Sequence, residues 1–337
     1  MKRKPQGAGK QADGTEDWFT GPAWRDRDGR AARRRKRIRI GAAVVVAAGA
    51  AVLVLNPGDV RSKLPGRLGG DTTAAEPLPP ETAAPGAAPA DEAFPATPTL
   101  AAPFAGSPAV RYADGAAGIV LPDAEPVGRL SKDEVAGVLR QVKELLADAN
   151  LNRRTLRGER PAVALNLVDP LQPDVRKELE AGLTKPDREH DPLQLFTRFD
   201  PHEVRPAGDV VKTRGRMTFK EGRDGALAVH TDHTFVHPVV KAAAGASEVT
   251  RTVVRRVVDF EVNDPRRFQA TPGKPALAGY HHEVANTACE VYDGFLHPQF
   301  SDSRPAAEAS GPATDPYDRS QEMKEDESTG CGTVSRI

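Results

Sequence analysis

The chain has 337 residues, with 47 Lys/Arg against 47 Asp/Glu and a formal net charge of zero. Overall neutrality excludes a chain-wide electrostatic footprint for nucleic acid, and two cysteines exclude a disulfide-dense scaffold. The charge is nevertheless unevenly placed: residues 1–39 hold 13 Lys/Arg and 5 Asp/Glu, a net of +8, which leaves −8 on residues 40–337.

The basic run Arg33-Arg34-Arg35-Lys36-Arg37-Ile38-Arg39 abuts 16 uncharged, mostly apolar residues, Ile40 to Leu55. A bilayer core asks for about 17–25 apolar residues in a helix, and Arg39 extends the usable length by snorkelling its guanidinium to the headgroups. Asn56-Pro57-Gly58 stops the helix, since Pro breaks the hydrogen-bond ladder and Gly loosens the backbone. A transmembrane helix is expected over 40–56, with the basic tail 1–39 cytoplasmic and the large C-terminal part outside. A cleaved signal peptide shares the basic and apolar regions, but the basic region here is long and no small-x-small site follows Leu55. With this span directly behind it, the basic run is explained by topology and anionic-lipid contact rather than by nucleic-acid binding.

Residues 57–108 contain eleven prolines, many alanines and few large apolar side chains. Such a stretch cannot bury enough surface to offset its ordering entropy and is expected to be an unfolded spacer. At about 3.1 Å per residue, full extension would reach on the order of 150 Å.

A folded domain is expected over 109–301, followed by a flexible tail, 302–337. Ser131 and Glu134 have capping-box spacing, and Val135, Val138, Leu139, Val142, Leu145 and Leu146 form one apolar stripe, so a helix is predicted over Ser131–Asn150. Shorter helices are predicted at Pro161–Val168 and Pro173–Leu183, each opening on proline. Alternation then predicts a strand through Val211–Lys220, a turn at Gly222-Arg223-Asp224-Gly225 and a second strand from Leu227 through Phe235. Further strands are predicted at Val249–Val262 and around Ala276–Val284. Helices followed by long antiparallel strands define an α+β class. The expected form is a curved sheet wrapped on a helix, broadly like the cystatin or NTF2-type cone.

Cys289 and Cys331 both fall on the side assigned to the exterior, where disulfides persist, and a bridge between them would tie the tail to the domain. His230-x-x-His233-x-x-x-His237 has the most metal-like spacing, with His281 available from another strand. Odd separations on a strand point to opposite faces, so only His233 and His237 share a side, and polar filling of a half-buried sheet is the favoured reading. No HExxH, phosphate-binding loop, dinucleotide fingerprint or GxSxG elbow is present, and no catalytic residue or cofactor is expected. Lys212, Arg214 and Arg216 alternate along one strand, and Arg251 and Arg255 lie on a later one. Together they would form either a shallow anion-binding face for wall polymer or lipid headgroups, or a solvated face balanced by Asp232, Asp259 and Glu261.

Five blocks resemble those of a family of single-pass membrane proteins from filamentous, spore-forming actinobacteria. They are Pro103-Phe104-Ala105-Gly106-Ser107-Pro108, Asp114-Gly115-Ala116-Ala117-Gly118-Ile119, Phe196-Thr197-Arg198-Phe199-Asp200-Pro201, Val211-Lys212-Thr213-Arg214-Gly215-Arg216-Met217-Thr218-Phe219 and Asp293-Gly294-Phe295-Leu296-His297-Pro298-Gln299-Phe300. The resemblance implies an envelope accessory role linked to spore- and cell-wall assembly, and assigns no catalytic residues. The expectation is a non-enzymatic, membrane-anchored extracytoplasmic binding protein whose partners are the lipid bilayer and envelope proteins or anionic wall polymer. A wall- or lipid-modifying enzyme and a signal-relaying membrane protein are the alternatives.

Two outcomes follow. A cysteine placed at Ala83 is expected to react with an impermeant thiol reagent in intact cells while one at Ala12 does not; the reverse pattern would refute the topology. Non-reducing peptide mapping of exported protein is expected to find Cys289 joined to Cys331, and free thiol at both positions would reject the bridge.

Overall fold

Ser131 starts the first long element. Its hydroxyl accepts the Glu134 backbone N–H, and the Glu134 carboxylate accepts the Ser131 N–H at 2.8 Å, so two otherwise orphaned donors of the first turn are satisfied. Helix α1, Lys132–Asn150, follows with its apolar stripe buried. Three shorter helices come next: α2, Arg153–Leu156; α3, Ala162–Leu167; and α4, Pro173–Thr184. This computed structural model describes residues 76–83, 85, 97–303, 313–321, 323 and 332–337. The basic tail 1–39 and the apolar run 40–56 lie outside the described residues, among which no helix is long and apolar enough to cross a membrane.

The strands form one curved antiparallel sheet. They are β1, Ala113–Asp114; β2, Val204–Pro206; β3, Lys212–Glu221; β4, Leu227–Lys241; β5, Thr250–Val262; and β6, Ala276–Ala285. The order is β1-β3-β4-β5-β6, with β2 also pairing β4. Both the helices-first order and the long meander are as the sequence patterns predict, so the domain is α+β. Asp224 (φ 57°) and Gly225 (φ 81°) supply the left-handed conformations of the β3–β4 turn. A register shift between Asp259 and Phe260, opposite β6, adds bend to the sheet.

Strand β4 is longer than its alternation suggested, because it runs through Pro238. Proline lacks the N–H a central strand needs. Here it sits where β4 changes partner: Val236 still pairs with Lys212 of β3, and Val239 pairs with Pro206 of β2. The missing donor falls at that changeover, and the Pro238 carbonyl accepts Ala207 N–H at 2.9 Å.

The helices cover one sheet face. Val135, Leu139, Val142 and Leu146 pack with Met217, Val229, Phe235, Val258 and Phe260. Each such side chain removed from water contributes about 1.5–3 kcal/mol, so this layer carries the fold. The far face is covered too. Phe104, Tyr112 and Tyr317 pack with Val236, Val253 and Ala285, and Leu78 joins them. Residues expected to belong to an unfolded spacer and a flexible tail thus lie on the sheet. Leu78 donates its N–H to the Arg111 carbonyl at 2.9 Å. A buried Arg319–Glu81 ion pair joins the C-terminal segment to the N-terminal one. Proline-rich composition misled there because a few anchor side chains, Leu78, Glu81 and Tyr317, suffice to dock an otherwise featureless segment.

Candidate functional site

Cross-strand partners share a face, which sorts the candidate residues. Gly215, His233, Arg256 and His282 face one another across β3, β4, β5 and β6, on the helix-covered side with Phe235 and Val258. Gly215 is required by its neighbour: a Cβ there would lie 2.6 Å from the His233 Cα and 2.3 Å from the Asp232 carbonyl oxygen.

Arg256 is 1% exposed and is held by neutral acceptors. Its Nε donates to Asn150 Oδ1 at 2.6 Å, Nη1 to the Leu193 carbonyl at 2.8 Å, and Nη2 lies 3.4 Å from Thr197 Oγ1. Asn150 is the last residue of α1, so the cation also sits at the negative end of that helix's dipole. Burial pushes its pKa down to about 9, opposed by the Asp191 charge, and it stays protonated at neutral pH.

The metal-site candidates do not converge. His233 and His237 share the helix-covered face, but four residues along a strand separate them by roughly 13 Å, and Phe235 stacks beside His233 at 6.2 Å. His281 pairs with Val257, which puts it on the far face. Among the described residues no group of three or more His, Cys, Asp or Glu is placed to hold a metal ion. His233 has no hydrogen-bond partner at either ring nitrogen; burial, then the Arg319 charge, pushes it down to about 3.

Lys212, Arg214, Arg216, Arg251 and Arg255 do share the far face, but that face is not an open anion-binding surface. Lys212 Nζ meets Asp114 at 2.7 Å and the Tyr112 carbonyl at 3.0 Å. Arg214 pairs with Glu81 at 3.4 Å and donates to the Pro79 carbonyl. Arg251 donates to the carbonyls of Ala105 and Ile337. Arg255 grips Asp232 through two bonds, 3.1 and 3.0 Å, and donates to the Gln321 carbonyl. Burial raises the Asp232 carboxyl, but the Arg255 hydrogen bonds and the Arg319 and Arg255 charges outweigh it and hold it below the usual range. The basic rows are consumed by the flanking segments that cover them, although Arg216 and Arg251 each keep a buried Nε without a partner. Cys289 carries no free thiol, and Cys331 lies outside the described residues.

What the structure does assemble is a cavity of about 700 Å³ at the end of the sheet where β2 takes over from β3. Its apolar wall includes Leu151, Leu156, Phe199, Val204, Val211 and Val239, and Arg153, Arg157 and Arg205 also line it. His237 closes one side, 2% exposed, with its ring 5.6 Å from that of Phe199 and its Nε2 unpaired. Burial, then the Arg256 charge, pushes His237 down to about 3, so it is neutral. Sequence patterns singled out His237 by its spacing to His233. They missed the arginines, because α2 and β2 are too short to show a period; the Asn152 cap, which accepts Arg154 N–H at 2.9 Å, was the one local signal.

A second polar cluster fixes the 293–300 segment. His297 lies between Glu203, 2.7 Å from Nδ1, and Asp293, 3.0 Å from Nε2. Arg198, under the Phe295 ring at 4.9 Å, donates to the Gly158 carbonyl. Partial burial lowers the His297 pKa, but the bonds to Asp293 and Glu203 outweigh it and raise the group above its usual value.

No protein-family model, curated protein or solved structure matches this chain. Fold and site together define an α+β domain with an arginine-rimmed end cavity.

Arg256→Ala is expected to cost about 3–5 kcal/mol, since it opens a hole and strands buried acceptors. Arg256→Met, which fills the space and removes the buried charge, is expected to cost less; denaturant unfolding with the reverse ranking would refute this account. For His297 the folded pKa is raised, so its stabilisation is complete below about pH 6.5 and fades as pH rises through the folded value. The melting-temperature gap between wild type and His297→Gln is therefore expected to be larger at pH 5 than at pH 9.

Proposed function

We propose that this protein is a membrane-anchored, extracytoplasmic and non-enzymatic binding protein of the cell envelope, and that the end cavity is its binding site. The observation that carries the reading is a cavity of about 700 Å³, walled mainly by apolar side chains and lined also by Arg153, Arg157 and Arg205. Ligand sites fall in the range of about 300–1,000 Å³, mostly apolar with a few placed polar groups. The basic-then-apolar order of residues 33–55 supports the anchor and the outward orientation, and the five sequence blocks support placement beside wall-assembly proteins. The long curved sheet with helices on one face supports a cone of the cystatin or NTF2 kind. In this reading the Cys289–Cys331 bridge secures the tail in an oxidising compartment.

Val210 lines the cavity and is 36% exposed, so Val210→Trp obstructs it while changing stability within about 0.5 kcal/mol. Full-length wild-type protein purified from its native membrane is expected to release a bound small molecule on denaturation, and the Trp variant is expected to release none. Equal recovery from both, or none from either, would overturn the cavity as the binding site.

A further inference from the structure

The charge pattern around the cavity narrows the ligand. Two carboxylates line it, and both are engaged: Asp209 pairs with Arg153 at 2.6 Å, and Asp114 pairs with Lys212 at 2.7 Å. Of the three lining arginines, Arg157 and Arg205 have no carboxylate partner among the described residues. Arg205 makes only a 3.2 Å bond to the Ala246 carbonyl. Two uncompensated guanidinium groups therefore stand beside an apolar chamber. His237 also belongs to the lining, its Nε2 buried within the wall and unpaired.

We infer that the cavity takes an anionic amphiphile, its carboxylate or phosphate head held by Arg157 and Arg205 and its apolar tail lying among Leu151, Leu156, Phe199 and Val239. This rests on the binding role proposed above. Each part of the molecule meets its own chemistry. Guanidinium forks match planar or tetrahedral oxyanions with charge-assisted bonds. The apolar wall recovers the hydrophobic free energy of the tail. A neutral amphiphile would leave both arginines unused, and a small hydrophilic anion would leave the chamber unfilled.

Three photo-crosslinkable probes with the same acyl chain separate the possibilities: an acylglycerol phosphate, the free fatty acid and the uncharged monoacylglycerol. Each is added to full-length protein in nanodiscs of uncharged lipid, and labelled peptides are mapped by mass spectrometry. Either anionic probe, or both, is expected to label peptides containing Leu151–Leu156 or Val204–Val211. Labelling should fall about tenfold or more in Arg157→Gln with Arg205→Gln, and should weaken with added salt. The stronger anionic probe identifies a phosphate or a carboxylate head. If the monoacylglycerol labels the same peptides equally well and the double variant changes nothing, the anion assignment fails while the cavity remains a binding site. If no probe labels these peptides above the level seen in Val210→Trp, the anion assignment and the cavity reading fail together.

Discussion

A guanidinium buried without a carboxylate in contact is the constraint around which this domain is arranged. Arg256 sits mid-strand in β5 and is satisfied only if two separate pieces of chain arrive together: the last turn of α1 with Asn150, and the 193–197 segment with the Leu193 carbonyl and the Thr197 hydroxyl. Thr197 in turn donates to Asn150 Oδ1 at 2.9 Å, and its N–H bonds the Ala149 carbonyl. A charge in that position is costly unless every acceptor is present. The cluster therefore behaves as an all-or-none lock between helix and sheet. From it the chain runs on to Arg198 and Phe199, so the same lock that seats α1 also sets the back wall of the cavity.

The regular elements were legible because each repeats. The α1 stripe shows several turns of one period, and β3 alternates Thr213, Gly215, Met217 and Phe219 with Lys212, Arg214, Arg216 and Lys220, so pattern alone placed both within a residue or two of their observed bounds. Strand β5 was legible for another reason, a Val-rich run buried on both faces. What the patterns could not deliver was the identity of the cover on the far face. Alternating Lys212, Arg214 and Arg216 reads as a solvent-facing row, and nothing local says that Glu81, more than a hundred residues earlier, lies beside it.

The cavity was illegible for a related reason. It is built from an α2 of four residues, a β2 of three, and loop residues such as Asp209 and Val210. No period can be read in pieces so short. His237 carried a signal as a histidine in a strand, two positions beyond Phe235 and four beyond His233, and that spacing alone says nothing of the cavity it lines. Long elements thus fixed the frame, while the cavity sits where the frame changes partner, at the β3-to-β2 exchange.

The pairing of Glu81 with Arg319 has a mechanical consequence. Load arriving along the chain from upstream of Glu76 meets the Leu78–Arg111 hydrogen bond and this ion pair before it reaches any strand of the sheet. Those contacts span the far face as a clasp between segments near the two ends of the chain. Tension that opens the clasp would strip Tyr317 and Leu78 from the sheet and expose Arg214 and Arg319, leaving the helix-side core and the Arg256 lock unstretched. The far face is in that sense the layer that tension along the chain would reach first.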